Sequence, residues 1–184
     1  MKRFTLIFAL ITLLAIQAMS QVKDSSEVKT DKLSLGIGMG LDYGGFGANI
    51  VFYPSTHFGL FFGGGYALNG LGVNGGIKYR FISSRPKARI NPYFSAMYGY
   101  NTTIVVKNAT EYNKTFYRST VGIGIDFRQR PYRKGYWTIA LLVPIRGSKV
   151  NDYIDDLKNN HGVEFKNELM PIAISFGYRL VLGK

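Results

Sequence analysis

The two histidines of the sequence are the first side chains to consider for chemistry. His57 follows a Pro-Ser-Thr turn, and His161 lies in a stretch that also contains Ser148 and three aspartates. Zinc usually needs three or four protein ligands, often His or Cys, whereas this chain has two histidines and no cysteine. Ser148, His161 and the aspartates match no known catalytic spacing. We therefore expect no catalytic, metal-binding or cofactor-binding residues.

A second set of candidate residues is charged and dispersed along the chain. Each occupies a position between small residues in a segment where large apolar residues alternate with them. Basic groups outnumber acidic ones in this set, which consists of Lys78, Arg80, Arg118, Asp126, Arg128 and Arg179. What these charges can do depends on the elements that position them.

The elements follow from a hydrophobic period of two. Leu33, Leu35, Ile37 and Met39 alternate with Ser34 and three glycines, and the pattern returns in later segments. Such alternation is typical of β-strands. Four clear and four less regular segments, separated by turns such as Asp42-Tyr43-Gly44-Gly45 and Asn69-Gly70, predict eight strands. The stretch from Gly147 to Glu168 is predicted to be a long loop, in which Val150, Ile154 and Leu157 indicate a short helix.

The N-terminal region is predicted to direct export. Residues 1–20 combine a basic start, a largely apolar run of 13 residues and small residues before a cleavage site between Ser20 and Gln21. Residues 21–32 are polar and are predicted to form a flexible periplasmic tail, and residues 33–184 to form the folded domain. The net charge of +12 in a cytosolic protein would suggest nucleic acid. For an exported chain without a basic amphipathic helix we expect no nucleic acid partner.

Each predicted strand has one face of small residues and one face of large apolar residues. If the strands close into a barrel, the composition of the small-residue face indicates whether the apolar face points inward or outward. A solvent-facing surface would be rich in Lys, Glu and Thr, but here 13 of the 22 glycines lie on the polar face. The narrow lumen of an eight-stranded barrel would explain them. The apolar face would then meet lipid, with aromatic residues such as Phe52, Phe81, Phe127, Trp137 and Tyr178 at its edges. The alternative is a soluble, lipocalin-like barrel with the apolar face inside.

A resemblance to a known family rests on these features together with the closing segment Pro171-Ile172-Ala173-Ile174-Ser175-Phe176-Gly177-Tyr178-Arg179-Leu180. The chain resembles the porin-like, small bacterial outer-membrane β-barrel family over residues 33–182. It departs from that family by ending on Val181-Leu182-Gly183-Lys184 instead of an aromatic residue. The resemblance implies an all-β fold, an eight-stranded antiparallel up-and-down transmembrane β-barrel. It also implies contact with outer-membrane lipid, lipopolysaccharide and the outer-membrane assembly machinery.

Within such a barrel the charged set is expected to face the lumen. Asp126, shared between neighbouring strands, would form salt bridges that fill the interior, and an anion site is the alternative. Pro144 and Pro171 are each unable to donate a ladder hydrogen bond, so the last two strands are expected to separate near them. The first, third, fifth and seventh connections between strands would face outside, and the seventh is the longest of all. The second, fourth and sixth connections, two of which are strongly basic turns, would face the periplasm.

These expectations lead to one function and two alternatives. The main prediction is a non-enzymatic outer-membrane protein with an envelope-structural or surface-interaction role, for which the extracellular loop 147–168 is the candidate interaction site. The protein partner would be extracellular or periplasmic. Because some small outer-membrane barrels are lipid A deacylases or acyltransferases, a lipid-modifying enzyme that uses His161 is the first alternative. A soluble ligand-binding barrel is the second.

Overall fold

The computed structural model describes most of the chain from Asp31 onward. The described residues are 31–67, 69–82, 89–106, 109–128, 134–161, 163 and 169–183. The predicted signal peptide, the cleavage site between Ser20 and Gln21, and most of the predicted tail lie outside these residues. Within the described part, no helix combines the length and apolar character needed to cross a bilayer.

The fold is all-β, as the alternation predicts. Eight antiparallel strands form a closed up-and-down barrel in which each strand pairs with its neighbours in sequence and β1 pairs with β8. The strands are β1 (Leu33–Gly40), β2 (Gly45–Phe52), β3 (Phe58–Ala67), β4 (Gly70–Arg80), β5 (Ile90–Ile104), β6 (Lys114–Phe127), β7 (Gly135–Pro144) and β8 (Ala173–Gly183).

The two ends of the barrel differ in construction. We call the end that carries Leu33 and Gly183 the base, and the opposite end, which carries the connection between β1 and β2, the mouth. At the mouth β5 and β6 extend furthest, and helix α1 (Ser148–His161) packs on this hairpin. Val150 and Leu157 of α1 are fully buried against Ile104 and Val106. The 14-residue helix replaces most of the predicted loop, and its apolar spacing is the one noted in the sequence.

Every strand turns large apolar side chains to the outside of the barrel. Leu71 is 80% exposed, Phe46 and Tyr66 are each 68% exposed, and Ile174 is 66% exposed. The inside positions carry small, polar and charged residues together with one buried apolar cluster that includes Val51, Phe61, Met97 and Leu142. Aromatic rings gather near the base, where Trp137 stacks on Phe176 with 5.0 Å between ring centroids. The apolar face therefore points outward, opposite to the polarity of a soluble barrel.

The prolines mark where β7 and β8 separate. The pairing between these strands ends at Leu142 and Ala173, two residues before Pro144 and two residues after Pro171. Beyond this point the guanidinium of Arg146 donates hydrogen bonds to the carbonyl oxygens of Leu169 and Met170. A side chain thus joins the two ends of the connection between β7 and β8 where the backbone ladder has stopped, and the predicted separation is confirmed.

Candidate functional site in the barrel lumen

The charged residues of the lumen form two clusters at different depths. The lower cluster, which we call the base cluster, is built around Asp31, just before β1. One carboxylate oxygen of Asp31 accepts hydrogen bonds from Arg80 at 2.6 Å and Arg128 at 2.5 Å, and the other accepts one from the Tyr136 hydroxyl at 2.9 Å. Arg80 also donates from Nε to the Thr56 carbonyl oxygen at 2.7 Å. Two cations thus share one buried anion.

The environment of Asp31 keeps it ionised. Burial by itself raises the pKa of its carboxyl, but the guanidiniums of Arg80 and Arg128 and the hydrogen bonds from Arg80 and Tyr136 lower it, and the pKa lies below the usual value. The Asp31 side chain is completely buried. The segment up to residue 32 was expected to be flexible, but its last acidic residue closes the base of the barrel.

The second cluster is an ion pair in the middle of the lumen. Lys78 on β4 donates to both carboxylate oxygens of Asp126 on β6, at 2.8 and 2.9 Å. Its ammonium also lies 3.5 Å from the centre of the Tyr93 ring, and Tyr93 hydrogen-bonds to Thr138 at 3.0 Å. A buried charge costs free energy unless it is paired. Here each charge has its partner, and the Lys78 ammonium also contacts the Tyr93 ring.

The turn between β1 and β2 enters the lumen. The sequence predicts an outward turn at residues 42–45, but Leu41–Tyr43 form a 3₁₀ turn whose residues are all buried. Side chains of three strands hold it: Asn49 and Asn74 donate to the carbonyl oxygens of Asp42 and Leu41, and Ser175 donates to the Asp42 carboxylate. We call this element the inward turn. It blocks the lumen between the ion pair and the mouth.

Many lumen glycines leave room for the inward turn. A Cβ atom at Gly177 would collide with the Tyr43 hydroxyl, and one at Gly63 would collide with the Asp42 carbonyl oxygen. Gly44, which ends the turn, has φ +70°, a left-handed conformation that favours glycine. The glycine-rich face therefore reflects a narrow lumen, as predicted, and also a chain segment folded into it.

Arg179 lies between the inward turn and the ion pair. It is 2% exposed, and its guanidinium carbon is 5.9 Å from the centre of the Tyr43 ring. Nε and Nη1 of Arg179 have no hydrogen-bond partner among the described residues. A cavity of about 10 Å³, lined in part by Asp42, Lys78 and Arg179, is large enough for one water molecule. The described lumen is filled.

Of the six residues predicted to face the lumen, four form ion pairs, Arg179 is buried near them, and Arg118 lies apart. Lys78 pairs with Asp126, Arg80 and Arg128 meet on Asp31, and Arg179 is buried in the same interior. Asp126 has one direct partner, although we expected it to be shared between neighbours. Arg118 is separate, because it lies half-buried at the mouth beside Gly147. Asp31 was missed, since a single acidic residue in a polar segment gives no periodic signal.

The histidine region does not assemble a catalytic group in the described residues. Ser148 and His161 occupy opposite ends of α1, about 20 Å apart at 1.5 Å per residue. The His161 ring packs on Tyr112 with 4.7 Å between ring centroids, and its Nε2 lies 3.9 Å from an Asp156 carboxylate oxygen. No group of three or more His, Asp or Glu side chains in the described part of the chain could hold a metal ion.

No protein-family model matches the chain, and neither the curated proteins nor the solved structures contain a match.

Proposed function

We propose that this protein is a non-enzymatic β-barrel of a bacterial outer membrane with an envelope-structural or surface-interaction role. The observation that carries the proposal is the polarity of the barrel. Leu, Ile, Val and Phe side chains of all eight strands are exposed on the outside, while Lys78, Asp126, Arg80 and Asp31 are buried inside. An exposed apolar surface that encircles a protein is costly in water and favourable in lipid.

The dimensions of the barrel also support a membrane location. The strands contain 8 to 15 residues, which brackets the about 9–11 residues that a tilted strand needs to cross a bilayer. Near the base, Trp137 contacts Phe176 and Tyr178, and Phe81 contacts Tyr79 and Phe94. Aromatic residues form similar girdles at the interfaces of membrane barrels.

The elements at the mouth are the proposed interaction site. Helix α1 covers apolar residues of the hairpin between β5 and β6, and it leaves a polar surface that includes Asp152, Asp155 and Asp156. In an outer membrane with the base toward the periplasm, this surface would face the exterior. Lipopolysaccharide and an extracellular protein are the partners it would meet first, and the outer-membrane assembly machinery would insert the barrel.

The two alternatives have less support from the geometry. A soluble ligand-binding barrel needs an apolar cavity of several hundred Å³, whereas the lumen cavity beside Arg179 measures about 10 Å³. A lipid-modifying enzyme that uses His161 would need a nucleophile beside it, and Ser148 lies at the other end of the helix, while the acid nearest to His161, Asp156 at 3.9 Å, has a side chain 47% exposed. Neither alternative is favoured by a specific observation.

Gel mobility provides the test of the membrane proposal. The protein is extracted from membranes and run in SDS with and without heating, because closed membrane barrels often resist SDS until boiled. We expect a heat-dependent shift and recovery with the outer-membrane fraction. Recovery in the soluble periplasmic fraction without a shift would contradict the proposal. His161→Ala should leave the lipid A of the producing cells unchanged, whereas the enzyme alternative predicts a change that depends on His161.

A further inference from the structure

The exposed charges at the two ends of the barrel differ in sign. At the mouth, exposed acidic and basic side chains occur together on the hairpin between β5 and β6 and on α1. At the base, no described carboxylate is exposed, because the one that lies there, Asp31, is buried. The exposed acidic residues of the described chain all belong to the mouth and are Glu111, Asp152, Asp155 and Asp156.

Four basic residues lie at the base, each directly beside the end of a strand. Lys32 precedes β1, Arg89 precedes β5, Arg128 follows β6 and Lys134 precedes β7. The Arg128 amide donates to the Arg89 carbonyl oxygen at 2.8 Å, and the end of β8 is bonded to the backbone of Lys134 on one side and of Lys32 on the other, at 2.7 and 2.9 Å. The four residues therefore follow one another around the rim from β5 to β1, and we call them the basic arc.

The charge of the basic arc is not neutralised by the described residues. Lys32, Arg89 and Lys134 are exposed, and no ion pair of the described chain includes them. Arg128 shares its carboxylate partner with a second arginine, so that two cations meet one anion. In the sequence, the connections between β4 and β5 and between β6 and β7 add four further basic residues and no acidic one. This end of the molecule is therefore positive and fits a negatively charged partner.

Aromatic side chains lie next to the basic arc on the outer face of the barrel. Phe127, Trp137 and Tyr178 are side by side on β6, β7 and β8, because Trp137 pairs with the other two across the ladder. Phe127 directly precedes Arg128, and Trp137 is 38% exposed. In membrane proteins, aromatic rings occupy the level of the headgroups, and long basic side chains extend from there to the polar surface. A soluble polymer would need the charge alone, so the combination favours a lipid surface.

We propose that the basic arc binds anionic phospholipid headgroups in the leaflet at the base of the barrel. Lys and Arg side chains beside a membrane are attracted to anionic lipids and form charge-assisted hydrogen bonds to their phosphates. The inference rests on the proposed function, since it requires that lipid surrounds the barrel. It adds the class of lipid that the protein selects and the end of the barrel that selects it.

The single tryptophan of the chain provides the probe, because Trp137 lies on the outer face beside the basic arc. The full chain is folded into phosphatidylcholine vesicles that contain an equal fraction of either phosphatidylglycerol or phosphatidylcholine brominated in one acyl chain, since bromine quenches tryptophan on contact. We expect brominated phosphatidylglycerol to be enriched at Trp137 about threefold or more over brominated phosphatidylcholine. Salt at roughly 1 M should abolish this preference, because it shortens the screening length to about 3 Å.

Two double variants assign the preference to one end of the barrel. Lys32→Gln combined with Lys134→Gln removes two charges on either side of β8 and should remove most of the preference. Lys149→Gln combined with Lys158→Gln removes the same charge from the exposed face of α1 at the mouth and should leave the preference as in the wild type. The heat-dependent gel shift of each variant establishes that it is folded.

The outcomes separate this inference from the proposed function. Equal quenching by the two brominated lipids, or equal effects of the two double variants, would overturn the inference and leave the membrane location intact, since lipid would still reach Trp137. Absence of quenching by either lipid would contradict the membrane location and the inference with it. If quenching were equal and isolated peptidoglycan bound the solubilised wild type but not the base variant, the basic arc would belong to a wall polymer instead of lipid.

Discussion

At the scale of single residues, Asp31 is the counter-ion on which the base cluster depends. Arg80 is 1% exposed, and its described carboxylate partner is Asp31. Removing one partner of a buried ion pair leaves the other charge uncompensated. We expect Asp31→Asn to lower the free energy of unfolding by about 3 kcal/mol, measured by guanidinium denaturation in detergent. Asp152→Asn, on the exposed face of α1, should have almost no effect, and equal effects of the two changes would contradict this role.

The same residue predicts a dependence of stability on pH. The pKa of Asp31 is lower in the folded protein than the ordinary aspartate value of 3.8. The stabilisation it provides is therefore complete above that value and is lost as the pH falls through the lowered folded pKa. Wild-type stability should fall more steeply below about pH 4 than that of Asp31→Asn. Parallel pH profiles for the two proteins would show that Asp31 is not the group that titrates.

Substitutions at Gly177 and Tyr43 should have coupled effects on stability, because the Tyr43 side chain fills the space beside Gly177. A Cβ at Gly177 would collide with the Tyr43 hydroxyl, and overpacking of this kind typically costs about 1–3 kcal/mol. We expect Gly177→Ala to be that destabilising in wild type and less so in a Tyr43→Ala background. The control is Gly75→Ala, whose added Cβ would meet its nearest atoms at 3.8 Å. Additive effects would argue against the inward turn.

At the scale of elements, α1 and the hairpin beneath it form a unit distinct from the lumen. The cluster of Ile104, Val106, Val150 and Leu157 is separate from the apolar cluster inside the barrel. Leu157→Ala should remove about 2–3 kcal/mol of packing and release the helix while the barrel stays closed. Hydrogen exchange would then show loss of protection in 148–161 only. Asn159→Ala, on the exposed face, is the control, and loss of protection in β1 to β4 would contradict this independence.

The elements also show where sequence reasoning succeeds. The strands are predictable from alternation, because each strand has one apolar face and one lumen face. The period of two can therefore be recognised within a single segment of the sequence. The helix follows from Val150, Ile154 and Leu157, although its length does not. The inward turn was not predictable, since Asp42-Tyr43-Gly44-Gly45 has the composition of an exposed turn. Its position depends on Asn49, Asn74 and Ser175, which are distant in sequence.

At the scale of the whole molecule, the candidate site was also predictable only in part. Charges on the lumen face were predictable from their place between small residues. Their pairing was not, because the distances between strands four, six and eight depend on closure of the barrel. Asp31 enters the site from outside any strand, and Arg118 leaves it because β6 continues past the filled lumen to the mouth. The pattern thus identifies the face of each charge but not its depth.

The outward-facing apolar surface of the barrel predicts that the cost of a charge on it depends on the depth of that charge in the bilayer. Leu141 lies midway along the outer face and is 48% exposed, whereas Leu182 lies at the base and is 58% exposed. In a bilayer, Leu141→Arg should cost about 2–4 kcal/mol of folding free energy and Leu182→Arg about 0–1 kcal/mol. Folding into lipid vesicles, followed by gel mobility across a urea series, measures both. If the barrel were soluble, both changes would place a charge on a wet surface and the two costs would be similarly small, so the difference between the variants reports whether lipid surrounds the protein.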